Sequence, residues 1–429
     1  MAAHRITPLL HPIDAIVAVP GSKSIANRAL ICAALAEGTS TFSNVPDGDD
    51  TEAMLTCLEL LGVGVGRAES VAESVDSPTT VQGTGGVLAP GPIDLPTRLA
   101  GTTSRFITAL AALGPGPYRV DGAPRLRARP MGPLHDALVA LGATVEAGEG
   151  WGHLPVTVGG PLRGGGHIGV GGDISSQFIT ALMLIGPYVP GGLRIAITTP
   201  LVSRPYLEIT KTVMADFGHD AVTIGDNDVI YVGAGKYRGR DYTIEPDASS
   251  ASYPLAAAAI CGGRVEVPGL TMHAVQGDAR FCDVLATMGC TAIRGEASTI
   301  VESGQQLHGV DIDMVEMSDL VPTLAAAAVF ASTQTRIRGV GFIRAKESDR
   351  LGDLCTELRQ LGAEATETDD GLVIHPSVLH GSRVATHHDH RLAMAFGLIG
   401  LRVPDVEVDD PDVVSKSWPG YWGVLGSLQ

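Results

Sequence analysis

A polar cluster opening an Ala-rich apolar helix occurs six times along this chain. The copies are SKSIANRALICAALA from residue 22, GTTSRFITALAAL from 101, SSQFITALMLIG from 175, SSASYPLAAAAI from 249, SDLVPTLAAAAVFA from 318 and HDHRLAMAFGLIGL from 388. Neighbouring copies start about 70 to 79 residues apart. A second motif alternates with the first: an amphipathic helix closed by glycine and followed by a short strand. Its copies are CLELLGVGV, ALVALGATV, VMADFGHDA, LATMGCTAI and ELRQLGAEA, and the glycines Gly62, Gly142, Gly218, Gly289 and Gly362 lie 71 to 80 residues apart. Glycine there predicts a left-handed backbone just past each helix end. Leu-Gly pairs are common, but five copies in phase with six of another motif leave little room for chance.

The repeating unit is therefore two helices and several strands in roughly 70 residues. The first helix of each unit is apolar on nearly all sides and belongs between layers; the second keeps one face in water. The sixth copy lacks the helix-glycine signal, and the chain starts with an extended segment, residues 5–20, so the N-terminal strand is expected to complete the last unit. A chain of 429 residues exceeds one ordinary core. Two domains of three units each follow, one made of 1–20 plus 241–429 and the other of 21–240. The chain then crosses between them twice, near Pro20-Gly21 and within KYRGRDYTIEPDAS, which makes a hinge able to close over a substrate.

Composition removes several function classes. The net charge of −17 gives no general reason to bind nucleic acid or anionic lipid. Any anion site must be a local basic pocket. The six cysteines form no CxxC pair and read as reduced thiols of a cytoplasmic protein. MAAHRITPLLHPIDAIVAVP is broken by charges and prolines and is no signal peptide. No apolar run approaches a membrane span.

All six inner helices open with Ser, Thr or Asp, residues suited to N-caps; for Ser249, Ser250 and Ser252 capping suffices. Capping does not explain the cations. Lys23 and Arg28 flank the first helix start, Arg105 lies in the second and Arg391 in the sixth. Between helices come RLRARP (Arg125, Arg127, Arg129), LVSRPY (Ser203, Arg204, Tyr206), IRAKESDR (Arg344, Lys346, Glu347, Arg350) and VVSKSWP (Lys416). Twelve of the 30 Lys and Arg fall in these places, as if lining a cleft. Helix N-termini with guanidinium forks hold phosphate and carboxylate, and so many cations imply more than one anionic group. GSKS is no nucleotide P-loop, because Ser22 precedes Lys23 and Val17 stands where the first glycine is needed. THHDHRL, 386–392, has no second Cys/His group nearby and places Arg391 beside any metal, so it reads as support for the anion site.

In combination, PGSKSIANRAL, AGTTSR, RARPMGPL, SSQFITALMLI, LVSRPY, AKESDRL, DHRLAMAF and SKSWPGYW, in this order over about residues 15–422, resemble the 3-phosphoshikimate 1-carboxyvinyltransferase family. These are the enolpyruvyl-shikimate-phosphate synthases of aromatic amino-acid biosynthesis. The resemblance implies an α/β fold of two inverse α/β barrel domains, each of three repeated units. It implies a monomeric transferase acting on shikimate 3-phosphate and phosphoenolpyruvate, with no metal or organic cofactor, and a target of glyphosate. Carried over by position, Lys23, Ser24, Arg28, Ser175, Ser176, Gln177, Ser203, Tyr206, Asp319 and Lys346 bind shikimate 3-phosphate. Lys23, Gly101, Arg129, Gln177, Arg350, Arg391 and Lys416 bind phosphoenolpyruvate. Asp319 is the proton acceptor and Glu347 the donor, with Lys23 also catalytic. The phosphoenolpyruvate side and the catalytic carboxylates would then belong to the 1–20 plus 241–429 domain, and the shikimate-phosphate side to 21–240.

Three positions depart from the family pattern. Leu99 stands where asparagine is frequent, which removes a polar contact. Phe342 likewise replaces a frequent asparagine. Phe106 follows Arg105 where proline is common, which is expected to change the pitch of that helix. Two alternative readings make different demands on the sequence. The sister transferase acting on UDP-N-acetylglucosamine has a mobile-loop cysteine in its first half and Lys-Asn after the first turn, whereas here no cysteine lies between Cys57 and Cys261 and Ser24 follows Lys23. A non-catalytic repeat scaffold would spread its cations along one exposed face.

Overall fold

The computed structural model describes residues 3–67, 78–163 and 166–428. The chain divides into two compact units, 21–244 and 1–20 with 245–429. The 21–244 unit carries helices α1 (Lys23–Leu35), α2 (Asp49–Leu60), α3 (Gly101–Ala111), α4 (Pro124–Arg127), α5 (Gly132–Ala140), α6 (Ser176–Ile185) and α7 (Pro205–Asp216). Three four-stranded sheets accompany them. In spatial order they are Asp241–Thr243, Thr39–Ser43, Thr79–Gln82, Gly64–Arg67; then Ile93–Pro96, Tyr118–Asp121, Val156–Gly159, Thr144–Ala147; then His167–Val170, Leu193–Ile197, Val229–Val232, Val222–Ile224. In each the first pair is parallel and the rest antiparallel.

The unit of 1–20 with 245–429 repeats the scheme with α8 (Ala248–Cys261), α9 (Phe281–Thr287), α10 (Val321–Ala328), α11 (Arg350–Gln360), α12 (His390–Gly400) and α13 (Tyr421–Ser427). Its sheets are Ile13–Ile16, Gly263–Pro268, Ser298–Ser303, Thr291–Arg294; Asp311–Asp313, Thr335–Arg338, Leu372–His375, Glu364–Glu367; and a three-stranded sheet of Arg383–Val384, Glu407–Val408 and His4–Arg5.

The N-terminal segment divides its work. His4–Arg5 pairs antiparallel with Glu407–Val408 and completes the sixth repeat, while Ile13–Ile16 runs parallel to Gly263–Glu266 and opens the fourth. The first repeat likewise takes its opening strand from the far end of its unit, Asp241–Thr243. That pairing keeps 241–244 with the 21–244 unit, four residues beyond the boundary read from the repeats. Ile6 packs so closely on Gly400 that a Cβ there would come within 2.5 Å of it, so glycine is required where the N-terminal segment crosses α12.

The inner helices α1, α3, α6, α8, α10 and α12 are buried almost throughout. In α1, Leu30, Ile31 and Leu35 are fully buried, each worth about 1.5–3 kcal/mol. Ala and Leu supply the helix propensity, and the small Ala side chains permit close packing. Strands such as His167–Val170 alternate exposed and buried residues, so one sheet face meets water. Gly62, Gly142, Gly218, Gly289 and Gly362 all have positive φ, between 83° and 111°, as a left-handed helix exit requires. Each unit has its own core. No helix among the described residues is long and apolar enough to cross a membrane.

Candidate active site

In the 21–244 unit the predicted residues gather at helix starts. Arg28 is 2 % exposed. Its Nε donates to Thr210 Oγ1 at 2.9 Å, Nη1 to the Ser24 carbonyl at 2.6 Å and Nη2 to the Tyr206 carbonyl at 3.3 Å. Its guanidinium carbon lies 5.5 Å from the Phe106 ring centre and 5.6 Å from that of Tyr206. Every one of these partners is neutral. Burial pushes the Arg28 pKa down to about 10, against the opposing influence of Tyr206 and Cys32; the group remains a cation at neutral pH. Phe106 therefore supports Arg28, and α3 runs through it as a continuous helix.

Lys23 Nζ sits 2.9 Å from Asp50 Oδ2, a buried carboxylate in the first turn of α2. Arg105 donates to the Gly101 carbonyl at 3.0 Å and to Gln177 Oε1 at 2.8 Å, and Gln177 Nε2 donates to Thr102 Oγ1 at 3.1 Å. A Cβ on Gly101 would stand 2.5 Å from Arg129 Nη1, so the guanidinium of Arg129 lies against the bare backbone of this residue. Ser175 caps α6 by accepting from the Gln177 N–H, and Ser176 follows as its first residue. Ser203, buried, has a left-handed backbone with φ 56°, two residues before α7. No side-chain cap forms at Ser22 or Ala100, the residues before α1 and α3.

In the unit of 245–429 the cations face carboxylates. Arg350, the first residue of α11, is 1 % exposed and makes three ion pairs: Nε to Asp389 Oδ2 at 2.7 Å, Nη1 to Asp319 Oδ1 at 2.9 Å and Nη2 to Glu347 Oε2 at 2.7 Å. Arg391 Nη2 holds the other oxygen of Asp319 at 2.7 Å. Lys416 Nζ lies 3.7 Å from Glu347 Oε1, and Lys346 Nζ lies 5.9 Å from the Phe342 ring centre. Burial alone would raise the Asp319 pKa; Arg391, Lys346 and Arg350 outweigh it and hold this carboxyl well below its ordinary range. Burial would lower Arg350, but Asp389, Glu347 and Asp319 raise it above its usual value. Asp278 behaves oppositely to Asp319. Burial, then the negative charge of Asp319, pushes it up to about 7, while the Ser249 hydroxyl donates to it.

Some expectations change. The cap of α8 is Asp247, which accepts from the Ser250 N–H; Ser249 and Ser252 make other bonds. Arg127 pairs with Asp121 and Glu149, and Arg344 with Asp349 and Glu367, so these two arginines belong to surface ion pairs. Asp50, Asp278 and Asp389 are absent from the sequence-based set. Asp389 lay in plain view in the DHR motif; Asp50 carried no signal beyond an acidic helix start.

Buried guanidinium and ammonium groups with carboxylates set among them are the chemistry suited to small, multiply charged anions. Family comparison gives that chemistry a narrower identity. The chain matches the family model EPSP synthase (3-phosphoshikimate 1-carboxyvinyltransferase) over residues 10–425. The 3-phosphoshikimate 1-carboxyvinyltransferase of Nostoc sp. is 44 % identical over 417 residues, 97 % of each chain, and that of Methanoculleus marisnigri 41 % over 416 residues, 96 % of each. The solved EPSP synthase of Acinetobacter baumannii superposes with a TM-score of 0.81 at 25 % identity, covering 100 % of this chain and 98 % of its own. The enolpyruvyl transferase NikO of Streptomyces tendae, at 18 % identity and a TM-score of 0.77, shares the fold. The chain belongs to the EPSP synthase family, a family of transferases.

Proposed function

We propose that this protein transfers the enolpyruvyl group of phosphoenolpyruvate to the 5-hydroxyl of shikimate 3-phosphate and releases phosphate. The hydroxyl oxygen adds to C2 while C3 takes a proton; the tetrahedral adduct then loses the C3 proton and expels phosphate. Asp319 accepts the hydroxyl proton, Glu347 donates to C3, and Lys23 contacts both reactants. Arg28, Ser24, Ser175, Ser176, Gln177, Ser203, Tyr206 and Lys346 bind shikimate 3-phosphate. Arg129, Arg350, Arg391, Lys416, Gly101 and Gln177 bind phosphoenolpyruvate.

The observation that carries this reading is the suspension of Asp319 between Arg350 and Arg391. A carboxylate so stabilised is a weak base. An incoming carboxylate or phosphate competes for the same guanidinium N–H groups, and each bond that Asp319 yields raises its pKa toward the working range. Binding of one reactant thereby arms the base for the other. Preorganised cations then stabilise the charge that develops on the adduct.

The buried inner helices and outer strands of each unit support reading both as inverse α/β barrels. The six free cysteines, five of them buried, support a cytoplasmic setting, and the proposed form is a monomer. A phosphate-release assay tests the function. Release should require both phosphoenolpyruvate and shikimate 3-phosphate, should fall with glyphosate, and should not occur with UDP-N-acetylglucosamine as acceptor. Release with that acceptor, or with one substrate alone, would overturn the reading.

A further inference from the structure

His387 and His388 are consecutive non-glycine residues with left-handed backbone, φ 52° and 58°. One such residue is uncommon, and two in succession persist only where the surroundings over-determine them. Here the side chains supply the reason. His387 Nε2 lies 2.8 Å from Glu357 Oε1, and its Nδ1 lies 3.4 Å from Asp353 Oδ1, both on the helix α11 that Arg350 begins. The other oxygen of Glu357 accepts from the Ala385 N–H at 3.0 Å, so this buried carboxylate grips the strand-to-helix segment on both sides of Thr386. His388 turns the other way. Its Nδ1 lies 3.2 Å from Asp410 Oδ2, the residue that starts the 3-10 turn Pro411–Lys416, whose last residue is Lys416. The segment then reaches Asp389, which caps α12, accepts from the Arg391 N–H at 2.9 Å and binds Arg350.

We propose that His387 and His388 are positioning residues: together they tie the three elements carrying Arg350, Arg391 and Lys416 into one fixed spacing. Neither histidine touches the reacting groups. The left-handed pair turns successive side chains to different neighbours, one toward α11 and the other toward the 411–416 turn, while the chain between them delivers α12. This inference rests on the proposed binding of phosphoenolpyruvate by those three cations.

The test compares His387→Asn and His388→Asn, alone and combined, with the wild type in the phosphate-release assay. Asparagine tolerates the left-handed backbone but is too short to span either gap, so folding is preserved while the tie is cut. Loss of a pairwise coupling of ordinary size should raise KM for phosphoenolpyruvate on the order of 3–10-fold in each single variant. The value of kcat and KM for shikimate 3-phosphate should stay within about twofold. His387→Asn should add little in a Glu357→Gln background, because the two act as one contact. An unchanged KM for phosphoenolpyruvate in the combined variant would overturn the proposal. So would a fall in kcat and melting temperature together with a rise in both KM values, which marks a merely structural role. A wild-type protein that releases no phosphate would remove the functional reading, and this inference with it.

Discussion

Arg28 and Arg350 are the same side chain, equally buried, and stand in opposite electrostatic settings. Arg28 is held by one hydroxyl, two carbonyls and two aromatic rings. Arg350 is held by three carboxylates. Burial therefore dominates at Arg28 and lowers its pKa, whereas ion pairing dominates at Arg350 and raises it. Arg28 is a buried cation with no carboxylate among these partners; Arg350 is a cation already neutralised by the protein itself. The first arrangement favours tight anion capture. The second requires an anion to displace carboxylates, and that displacement changes the basicity of what it displaces.

The most severe test of this contrast is Asp319→Ala. Turnover should fall about 10²–10⁴-fold, the usual worth of a general base, while both substrates still bind. Full activity would remove Asp319 as the base and with it the idea that anion exchange arms it. Next come paired arginine variants. Arg350→Met leaves Asp319, Glu347 and Asp389 without their shared partner and should destabilise by about 3–5 kcal/mol. Arg28→Met strands no carboxylate, so melting temperature should hold or rise, while the lost charged contact weakens shikimate 3-phosphate by roughly 1.5–3 kcal/mol. Equal losses of stability in denaturant titrations would erase the distinction between the two arginines.

A pH series sharpens the comparison inside the self-neutralised cluster. Asp278 has its folded pKa raised to about 7 from 3.8, so its contribution to stability is full below pH 4 and is lost as pH rises through 7. Asp278→Asn should then gain on the wild type by about 2–3 kcal/mol between pH 5 and pH 8. Asp319, shifted the other way, favours the folded state above its ordinary pKa and loses that contribution only in strong acid. A stability difference that ignores pH would show that Asp278 is not held protonated. The smallest effect belongs to Gly101→Ala. The clashing atoms are the far ends of Arg129 and Arg105, flexible side chains that can shift, so the cost is about 0.5–1.5 kcal/mol for each side chain forced off its rotamer. KM for phosphoenolpyruvate should rise by a few-fold up to roughly tenfold, with kcat nearly unchanged.

Much of this architecture is local and so could be read from the residues in order. The six Ala-rich helices, the glycines that end their partners and the return of the N-terminal strand to the last repeat depend on periodicity, backbone freedom and a missing strand. The cations were legible for the same reason, since Lys23, Arg105 and Arg391 lie at or near helix starts that the pattern locates. Their partners were not. Asp319 meets residues 31 and 72 positions away, Asp389 meets Arg350 across 39, and Arg28 meets Thr210 across 182. An ion pair depends on distance in space, and no local rule distinguishes Arg344, engaged at the surface, from Arg350, buried six residues later. The sequence by itself determined a sixfold α/β repeat with basic helix starts. Tertiary structure alone decided which of those charges the protein neutralises and which it leaves for a ligand, because only packing brings a carboxylate to within 3 Å of Arg350 and, among the described residues, gives Arg28 a hydroxyl, two carbonyls and two rings as partners.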